Sequence, residues 1–380
     1  MNVHYYSKII ANFFSDKFIF CFFWGYKSFL ALYMKKKSIG IKDIAKHAGV
    51  STGPVDKVLN NRGGVSLETR ERILKAIKDL GYTPNIFASR LKSAKKYTIA
   101  VLMPEATDNI PYWKEHLRGI QDITVELIPF GFKFDIFHFK QNDEESFLQQ
   151  TSAILDRPFD GVFMVPIFHK ETIRFVSLLE KKGTQIVFFD TRDEYFKDIP
   201  FIGQHSQNSG GLAAELFQKC LIQESEILII TLTGKDDNHL HFANRENGFR
   251  EFFGDQGKKI KKYESNLENI KLVEQEIIQL LKKSPSIRGI FFTNGIHKVA
   301  SIFKPSNKFI LIGYDLIEQN LKFLDKGIID FLISQRPYAQ AHSGLKLFYD
   351  ILIKKEMIKK LNYLPIDVIM KSNVEYYKDF

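Results

Sequence analysis

From Tyr97 onwards the chain alternates short apolar runs with segments of helical periodicity, and this alternation constrains the fold most strongly. The apolar runs, each typical of a buried strand, are TIAVLMP, FKFDIFHF, GVFMVP, QIVFFD, EILIIT, GIFFTN, FILIGYD and IDFLIS. Segments with helical spacing lie between them, at Tyr112–Glu126, Lys170–Lys181, Gly210–Cys220 and Glu274–Lys283. Repetition of strand, helix and strand builds a parallel sheet with helices on both faces. Two strand sets of similar length therefore predict an α/β fold with two doubly wound parallel-sheet subdomains.

Polar residues follow several of the predicted strands, at the edge where a ligand would bind. In open parallel sheets, ligands lie beyond the carboxyl ends of the strands. Glu105, Asp190, Asn294 and Asp315 occupy such positions here. Carboxylate and amide groups at that edge predict a site for a hydrogen-bonding ligand.

A second constraint comes from the stretch Ile41 to Asn60, IKDIAKHAGVSTGPVDKVLN. Apolar residues recur at helical spacing on both sides of the tripeptide GVS: Ile41, Ile44, Ala45 and Ala48 precede it, and Val55, Val58 and Leu59 follow it. Gly49 supplies a flexible turn, and Ser51 is placed to cap the second helix. Two short helices about a tight turn predict a helix-turn-helix, whose second helix enters the DNA major groove.

A third helix is expected after a polar turn at residues 60–64. Ser66 is placed to cap it, Gly81 ends it, and its predicted buried stripe consists of Ile73, Leu74, Ile77 and Leu80. Pro84 then suits the start of a short helix over residues 86–92. A helix of that length is only marginally stable by itself, so this segment is expected to fold conditionally.

The basic surplus of the chain is concentrated on this amino-terminal segment. The formal net charge is +10, and residues 34–97 alone hold 15 Lys and Arg against 5 Asp and Glu. Neutralising DNA phosphates requires such a local excess of cations. A solvated charged face is the alternative explanation.

At this point the chain resembles a known family. The order of IKDIAKHAGVS, VSLETRERILKAIKDLGYTPN and ASRLKS, over about Ser38 to Lys96, is similar to the LacI/GalR family of bacterial transcription regulators. The resemblance implies that the second helix reads base edges and that the piece after YTPN is a hinge helix. That hinge folds on DNA and wedges a leucine, here Leu91, into the minor groove. An ordinary linker or core leucine is the alternative for Leu91. The implied DNA contacts are Ser51, Thr52, Gly53, Lys57, Asn60, Ala88, Leu91 and Lys92.

The reading helix departs from the family pattern at Gly53 and Pro54, where many members carry larger polar residues. Pro54 lies early in the helix, where its missing N–H costs little. Gly53 offers no side chain, so direct readout is expected to depend on Lys57 and Thr52. Lys57 can reach a guanine edge, and Thr52 can contact a thymine methyl group or a phosphate.

The portion from Tyr97 to Tyr349 resembles the effector domain of the same family, which shares its fold with type I periplasmic sugar-binding proteins. The motifs DGVFMVP, QIVFFD, RENGF, FFTNG and LIGYD carry the resemblance. It implies effector contacts at Tyr112, Trp113, Asp190, Arg245, Asn294, Asp315 and Gln335, a set that suits a neutral or acidic sugar. Trp113 has two interpretations, a platform for a sugar ring or a plain core residue. Gly295 replaces a frequent family aspartate, so the resemblance leaves the ligand unidentified.

We therefore divide the chain into four parts. Residues 1–36 are expected to be a non-native extension or a flexible tail, because FIFCFFWGYKSFLALY at Phe18–Tyr33 is too short to span a bilayer and Met34 directly precedes the basic segment. Residues 37–83 are assigned to the helix-turn-helix domain, 84–96 to the hinge helix and linker, and 97–380 to the two-lobed effector-binding and dimerisation domain.

The predicted function is that of a cytoplasmic, ligand-responsive repressor. The resemblance implies a homodimer on a pseudo-palindromic operator in double-stranded DNA, controlled by a small molecule that is a sugar or a derivative. With Cys21 and Cys220 as its only cysteines, and His239 and His241 without further ligands nearby, the sequence predicts neither a disulfide nor a metal site. No catalytic motif is present, so we expect no enzymatic activity, no cofactor and no membrane partner. The alternative is a membrane-anchored or exported sugar-binding protein that uses the apolar amino terminus.

Overall fold

The computed structural model describes residues 40–59, 63–80, 95–108, 111–222, 224–233, 240–254, 259–266, 269–305 and 308–377 of the 380. They belong to two compact units, one ending at residue 93 and the other beginning at residue 94. The predicted tail at 1–36 and the predicted hinge positions Ala88, Leu91 and Lys92 lie outside the described residues, as does Asn60.

The described residues of the smaller unit form the helices α1 (Ile41–Ala48), α2 (Thr52–Leu59) and α3 (Leu67–Asp79). Ile44, Val55 and Ile73 contribute one fully buried side chain from each helix to a common core. The stripe on α3 differs from the prediction, because Leu74 is 50% exposed and Ala76 is buried instead. Positions 73, 76, 77 and 80 follow the helical repeat, whereas position 74 lies about 100° around the axis from Ile73.

The turns of this unit are fixed by local capping. Gly49 adopts a left-handed conformation (φ 63°) after α1, and the N–H of Val50 donates to the carbonyl of Ala45 at 3.0 Å. Ser66 caps α3 as predicted, since its hydroxyl accepts from the N–H of Thr69. Sequence reasoning missed Arg72, whose guanidinium donates to the carbonyl of Ala48 at 2.7 Å and so ties α3 to the end of α1.

The larger unit alternates strands and helices as predicted. Its strands are β1 (Tyr97–Pro104), β2 (Phe132–Phe139), β3 (Gly161–Met164), β4 (Gln185–Phe189), β5 (Phe201–Gly203), β6 (Glu226–Thr233), β7 (Ile260–Asn266), β8 (Ile287–Phe292), β9 (Ile310–Tyr314), β10 (Phe331–Ser334), β11 (Leu361–Tyr363) and β12 (Asp367–Ile369). Its α-helices are α4 (Trp113–Leu127), α5 (Glu144–Leu155), α6 (His169–Lys181), α7 (Ser206–Cys220), α8 (Leu240–Phe253), α9 (Ile270–Lys283), α10 (Ile296–Val299), α11 (Glu318–Asp325) and α12 (Pro337–Tyr349).

Two six-stranded sheets define an amino lobe and a carboxyl lobe. The strand order is β11-β5-β4-β3-β1-β2 in the amino lobe and β12-β10-β9-β8-β6-β7 in the carboxyl lobe. All pairings are parallel except that of β12 with β10, so the carboxyl lobe has one antiparallel edge strand that was not predicted. The central strands are buried on both faces, as the continuous apolar runs predicted.

The chain passes between the lobes three times, between β5 and α7, between β10 and α12, and between β11 and β12. Helix α12 therefore belongs to the amino lobe, where Leu345 and Phe348 lie in its core. Because the crossings lie side by side at the carboxyl ends of β5, β10 and β11, the strand ends of both sheets face a shared cleft.

Candidate functional site

Two aspartates mark equivalent positions in the two lobes. Asp190 directly follows β4 and Asp315 directly follows β9, and both adopt positive φ angles, 65° and 77°. Their backbone N–H groups donate to the carbonyls of Ile202 and Ile333 on the neighbouring strands. Non-glycine residues held in this conformation cluster at functional sites, where the surrounding structure compensates for the strain. The sequence prediction of both positions at the strand ends is confirmed.

In the amino lobe, Asp190 is held by two hydroxyl groups. The hydroxyl of Tyr112 donates to Oδ1 of Asp190 at 2.6 Å, and that of Thr191 donates to Oδ2 at 3.1 Å. Burial raises the pKa of Asp190, and the two hydrogen bonds oppose the rise. Burial and the negative charges of Asp190 and Asp315 raise the pKa of Tyr112 well above its ordinary value, so the phenol stays protonated.

Trp113 lies apart from this pair. Its side chain is 3% exposed and belongs to the amino-lobe core, and its indole N–H donates to Oε1 of Gln141 at 3.0 Å. The ring packs edge to face against Phe189. The structure thus places Tyr112, and not Trp113, on the wall of the cleft.

In the carboxyl lobe, Arg245 projects from α8 and is 1% exposed. Its Nη1 donates to the carbonyl of Thr293 at 2.6 Å and its Nη2 donates to Oε1 of Gln335 at 2.5 Å. The guanidinium lies 3.7 Å from the centre of the Tyr314 ring, a cation–π contact. Such a buried arginine has one orientation, which fixes the direction of its remaining N–H groups.

Gln335 links Arg245 to Asp315. Its Nε2 donates to Oδ1 of Asp315 at 2.6 Å while its Oε1 accepts from Arg245. Burial raises the pKa of Asp315 to about 6, against the opposing charge of Arg245 and the bond from Gln335. The charge of Asp190 raises it further, so the carboxylates of the two lobes interact across the cleft.

Asn294 has a role that the sequence did not indicate. Its Oδ1 accepts from the N–H of Leu232 at 2.9 Å, and its Nδ2 donates to the carbonyl of the same residue. The side-chain amide thus pairs with the backbone of β6 in both directions. It orders the strand ends beside the cleft and retains only part of its hydrogen-bonding capacity for a ligand.

Close helix packing positions Arg245. A Cβ atom added to Gly210 on α7 would lie 1.9 Å from the carbonyl oxygen of Arg245, and one on Gly248 of α8 would lie 1.8 Å from that of Gln207. These contacts exclude any side chain, so the two glycines let α7 and α8 touch through their backbones. The sequence showed the Gly210-Gly211 pair but gave no means of choosing which glycine is required.

Long-range hydrogen bonds connect the three crossings, and sequence reasoning missed them. Nε2 of Gln204 donates to the carbonyl of Ser334 at 2.7 Å, which joins the first crossing to the second. Arg336 forms a two-pronged ion pair with Asp367, which joins the second to the third. Arg336 also has a positive φ of 54°. These bonds define a hinge whose residues are more than thirty positions apart in the sequence.

A cavity of about 970 Å³ opens beside this cluster, with Tyr112, Asp315 and Gln335 on its wall. The start of α4, the loop between β9 and α11 and the second crossing supply most of the lining. The volume lies within the range of small-molecule sites. The groups on its wall donate and accept hydrogen bonds, which is the chemistry of reversible recognition. Among the described residues, no three His, Cys, Asp or Glu side chains are placed to hold a metal ion.

The second candidate surface is the exposed side of α2. Ser51, Thr52, Gly53 and Lys57 are exposed, whereas Val55 and Val58 face the core. The predicted base-reading positions therefore share the outer face of a short helix, as insertion into a major groove requires. A Cβ on Gly53 would meet nothing within 4 Å, so the packing of the unit does not account for the absence of a side chain there.

Comparisons with known proteins agree with both parts of this geometry. The family described as bacterial regulatory proteins, lacI family, matches residues 40–85, and the periplasmic binding protein domain matches residues 99–356. The transcriptional regulator RegA of Clostridium saccharobutylicum is 29% identical over 61% of this chain and 66% of that protein. The sucrose operon repressor of Streptococcus mutans is 25% identical over 87% of this chain and 92% of that protein. A crystal structure of a putative LacI transcriptional regulator from Bacteroides fragilis has a TM-score of 0.66 at 26% identity, covering 74% of this chain and all of that one.

A helix-turn-helix unit followed by a two-lobed α/β domain with a ligand cleft defines a ligand-controlled transcriptional regulator. The chain belongs to the lacI family of bacterial regulatory proteins and carries the periplasmic binding protein domain as its larger part. This confirms the predicted fold and the prediction that the chain is a DNA-binding regulator and not an enzyme. The comparisons give no support to the alternative of a membrane-anchored sugar-binding protein. In the described part of the chain, no helix combines the length and the apolarity needed to cross a bilayer.

Proposed function

We propose that this regulator is a sugar-responsive repressor that binds its operator as a homodimer. The observation that carries the proposal is the cluster of Tyr112 and Asp190 from one lobe with Arg245, Asp315 and Gln335 from the other. Tyr112, Asp315 and Gln335 lie on the cavity wall with Asp190 and Arg245 bonded behind them, and such hydrogen-bonding groups are suited to the adjacent hydroxyl groups of a sugar. The sucrose operon repressor of Streptococcus mutans supports this ligand class, because it aligns along most of the chain.

The mechanism follows from the position of the hinge. A ligand that bonds to Asp190 and Asp315 at once joins the two lobes and favours the closed arrangement of the cleft. Rotation about the crossings then changes the relative orientation of the lobes, and with it the spacing of two DNA-binding units in a dimer. This is a population shift, and its size equals the difference in ligand affinity between the two arrangements.

The operator is expected to be pseudo-palindromic, because a two-fold dimer places one α2 helix on each half-site. Lys57 and Thr52 supply the side-chain contacts to base edges, and the predicted hinge leucine, Leu91, supplies a minor-groove wedge. The regulator is expected to act in the cytoplasm, where its operator lies.

The test begins with selection of the operator from random duplex DNA by the full-length protein, followed by fluorescence anisotropy with the selected duplex. We expect a two-fold symmetric site, a steep loss of affinity with salt, and release or tightening on addition of a sugar. Arg245→Gln should abolish the response to sugar while operator affinity is retained. Arg250→Gln, on the outer face of the same helix, is the matched control and should respond like the parent.

Two results would contradict the proposal in different ways. Selection of asymmetric sites by a monomeric protein would refute the dimer. A normal sugar response in Arg245→Gln would show that the effector binds elsewhere. For the DNA surface, Lys57→Ala should lose discrimination at one base pair of each half-site, whereas equal discrimination in variant and parent would refute its role in readout.

A further inference from the structure

The cavity wall contains five carboxylates and three cationic side chains, and every one of these cations is already paired. The pairs are Lys114 with Asp108, Arg118 with Glu115, and Arg336 with Asp367. Glu318 pairs with Lys322 on its own helix. Asp315 is the one described carboxylate of the wall that forms no ion pair with an exposed cation. The charge that compensates it is that of the buried Arg245.

The positive charge of Arg245 acts on two carboxylates, Asp190 and Asp315. Its positive charge opposes the rise in pKa of both Asp190 and Asp315. Two of its N–H groups are engaged, one by the carbonyl of Thr293 and one by Oε1 of Gln335. The innermost part of the cleft therefore has one cation for two anions, and it carries a net negative charge before any ligand arrives.

Most hydrogen-bonding groups of the cluster are already engaged with one another. Tyr112 donates its proton to Asp190, and Gln335 uses both ends of its amide within the cluster. Among the described residues, Oδ2 of Asp315 accepts no hydrogen bond, and Nε of the 1%-exposed Arg245 has no acceptor. A ligand hydroxyl group that donates to a carboxylate oxygen is suited to Asp315, which lies on the cavity wall.

We infer that the cleft takes an uncharged or amino-bearing polyhydroxy ligand and rejects sugar acids and sugar phosphates. The inference rests on the proposed sugar site and narrows its ligand class. A carboxylate or phosphate on the ligand would add a third negative charge beside Asp315 and Asp190, and no described cation of the wall is free to pair with it. At the effective dielectric constant of such sites, a like charge about 4–5 Å away lowers affinity by roughly 100-fold or more.

The experiment compares matched ligands on the full-length protein at pH 7.5. Thermal shifts are recorded with D-glucose, D-glucosamine, D-glucuronate and D-glucose 6-phosphate, then with the corresponding galactose series, and with sucrose and maltose. A ligand selective for the folded state raises the melting temperature, and calorimetric titration then measures its Kd. We expect shifts from neutral or amino members, and affinities at least about 100-fold lower for the acidic or phosphorylated counterparts.

Asp315→Asn and Asp325→Asn test the electrostatic origin of this selectivity. The first removes a charge from the cleft, and the second removes an exposed charge from the same lobe. We expect the ratio of neutral to anionic affinity to fall about tenfold in Asp315→Asn and to stay at the parent value in Asp325→Asn. An anionic sugar that binds more tightly than its neutral counterpart would overturn the inference while leaving the sugar site intact. No shift from any member of the panel would contradict the proposed sugar site, and the inference would fall with it.

Discussion

Neutralising Asp315 should stabilise the unliganded protein. Burial raises the pKa of this carboxyl from its ordinary value of 3.8 to about 6. At neutral pH this carboxyl is ionised in the unfolded and the folded state, so folding buries a charged group, at a cost on the order of 3 kcal/mol from about 1.4 kcal/mol per pKa unit. Asn retains an acceptor for the bond from Gln335 and tolerates the positive φ of this position. We expect Asp315→Asn to raise the free energy of unfolding by that order and the melting temperature by roughly 5 °C.

The pH dependence supplies the critical test. The folded state binds the proton of Asp315 more tightly than the unfolded state, so ionisation costs stability as pH rises from 3.8 to about 6. The increase in the free energy of unfolding caused by Asp315→Asn should be full above pH 6.5, about half as large at pH 5, and absent below pH 4. Urea denaturation followed by circular dichroism at these pH values measures it, with Asp325→Asn as the exposed control. A variant less stable than the parent at pH 7.5, or an advantage that does not change with pH, would refute the reasoning.

Three further predictions concern packing, acid stability and the DNA-binding unit. Gly210→Ala should lower the melting temperature and weaken sugar binding, because its Cβ would lie 1.9 Å from the backbone of Arg245. At the adjacent Gly211 a Cβ would make only an ordinary contact, 3.6 Å from the carbonyl oxygen of Gly248, so Gly211→Ala should gain about 0.5–1 kcal/mol by calorimetry, and equal effects of the two substitutions would contradict the contact. Burial lowers the pKa of His116 to about 3, so the unfolded state alone binds this proton between pH 3 and 6.5 and acid destabilises the fold. His116→Leu should reduce the stability lost between pH 7 and pH 5 by about 2 kcal/mol in urea denaturation, whereas an unchanged loss would refute it. Arg72→Met should cost about 1–2 kcal/mol in the unfolding of the amino-terminal unit by hydrogen exchange, and no change would show that its bonds to α1 contribute nothing.

The sequence predicted the central strands because their residues are buried on both faces and read as unbroken apolar runs. It missed β7, whose residues IKKYESN lie at a sheet edge and include the exposed Lys261, Lys262 and Glu264. It also missed the three-residue strands β5, β11 and β12, which are defined by pairing and not by composition. Leu361 pairs with Phe201 across 160 positions of sequence, and no local pattern records such a partner.

The candidate site, like the fold, was predicted only in part from the sequence. Asp190 and Asp315 could be predicted, because a polar residue after a buried strand stands out in the sequence. The bond from Gln204 to Ser334 could not, because it joins the ends of two strands in different lobes. The pairing of Asn294 with the backbone of Leu232 was equally hidden, because it uses part of the hydrogen-bonding capacity of the side chain without changing its position. Resemblance identifies the positions of a site, and the hydrogen-bond partners decide which atoms remain for a ligand.

The ionisation cost at Asp315 also bears on how the cleft responds to its effector. Contact between the two lobes brings Asp190 towards Asp315, so the closed arrangement carries the cost of two buried carboxylates around one guanidinium. A ligand that donates hydroxyl groups to both offsets that cost only when the lobes are together, and it therefore favours the closed state. Asp315→Asn lowers the same cost without a ligand, so its unliganded radius of gyration in solution scattering should approach that of the sugar-saturated parent. A radius equal to that of the unliganded parent would show that charge burial does not hold the cleft open.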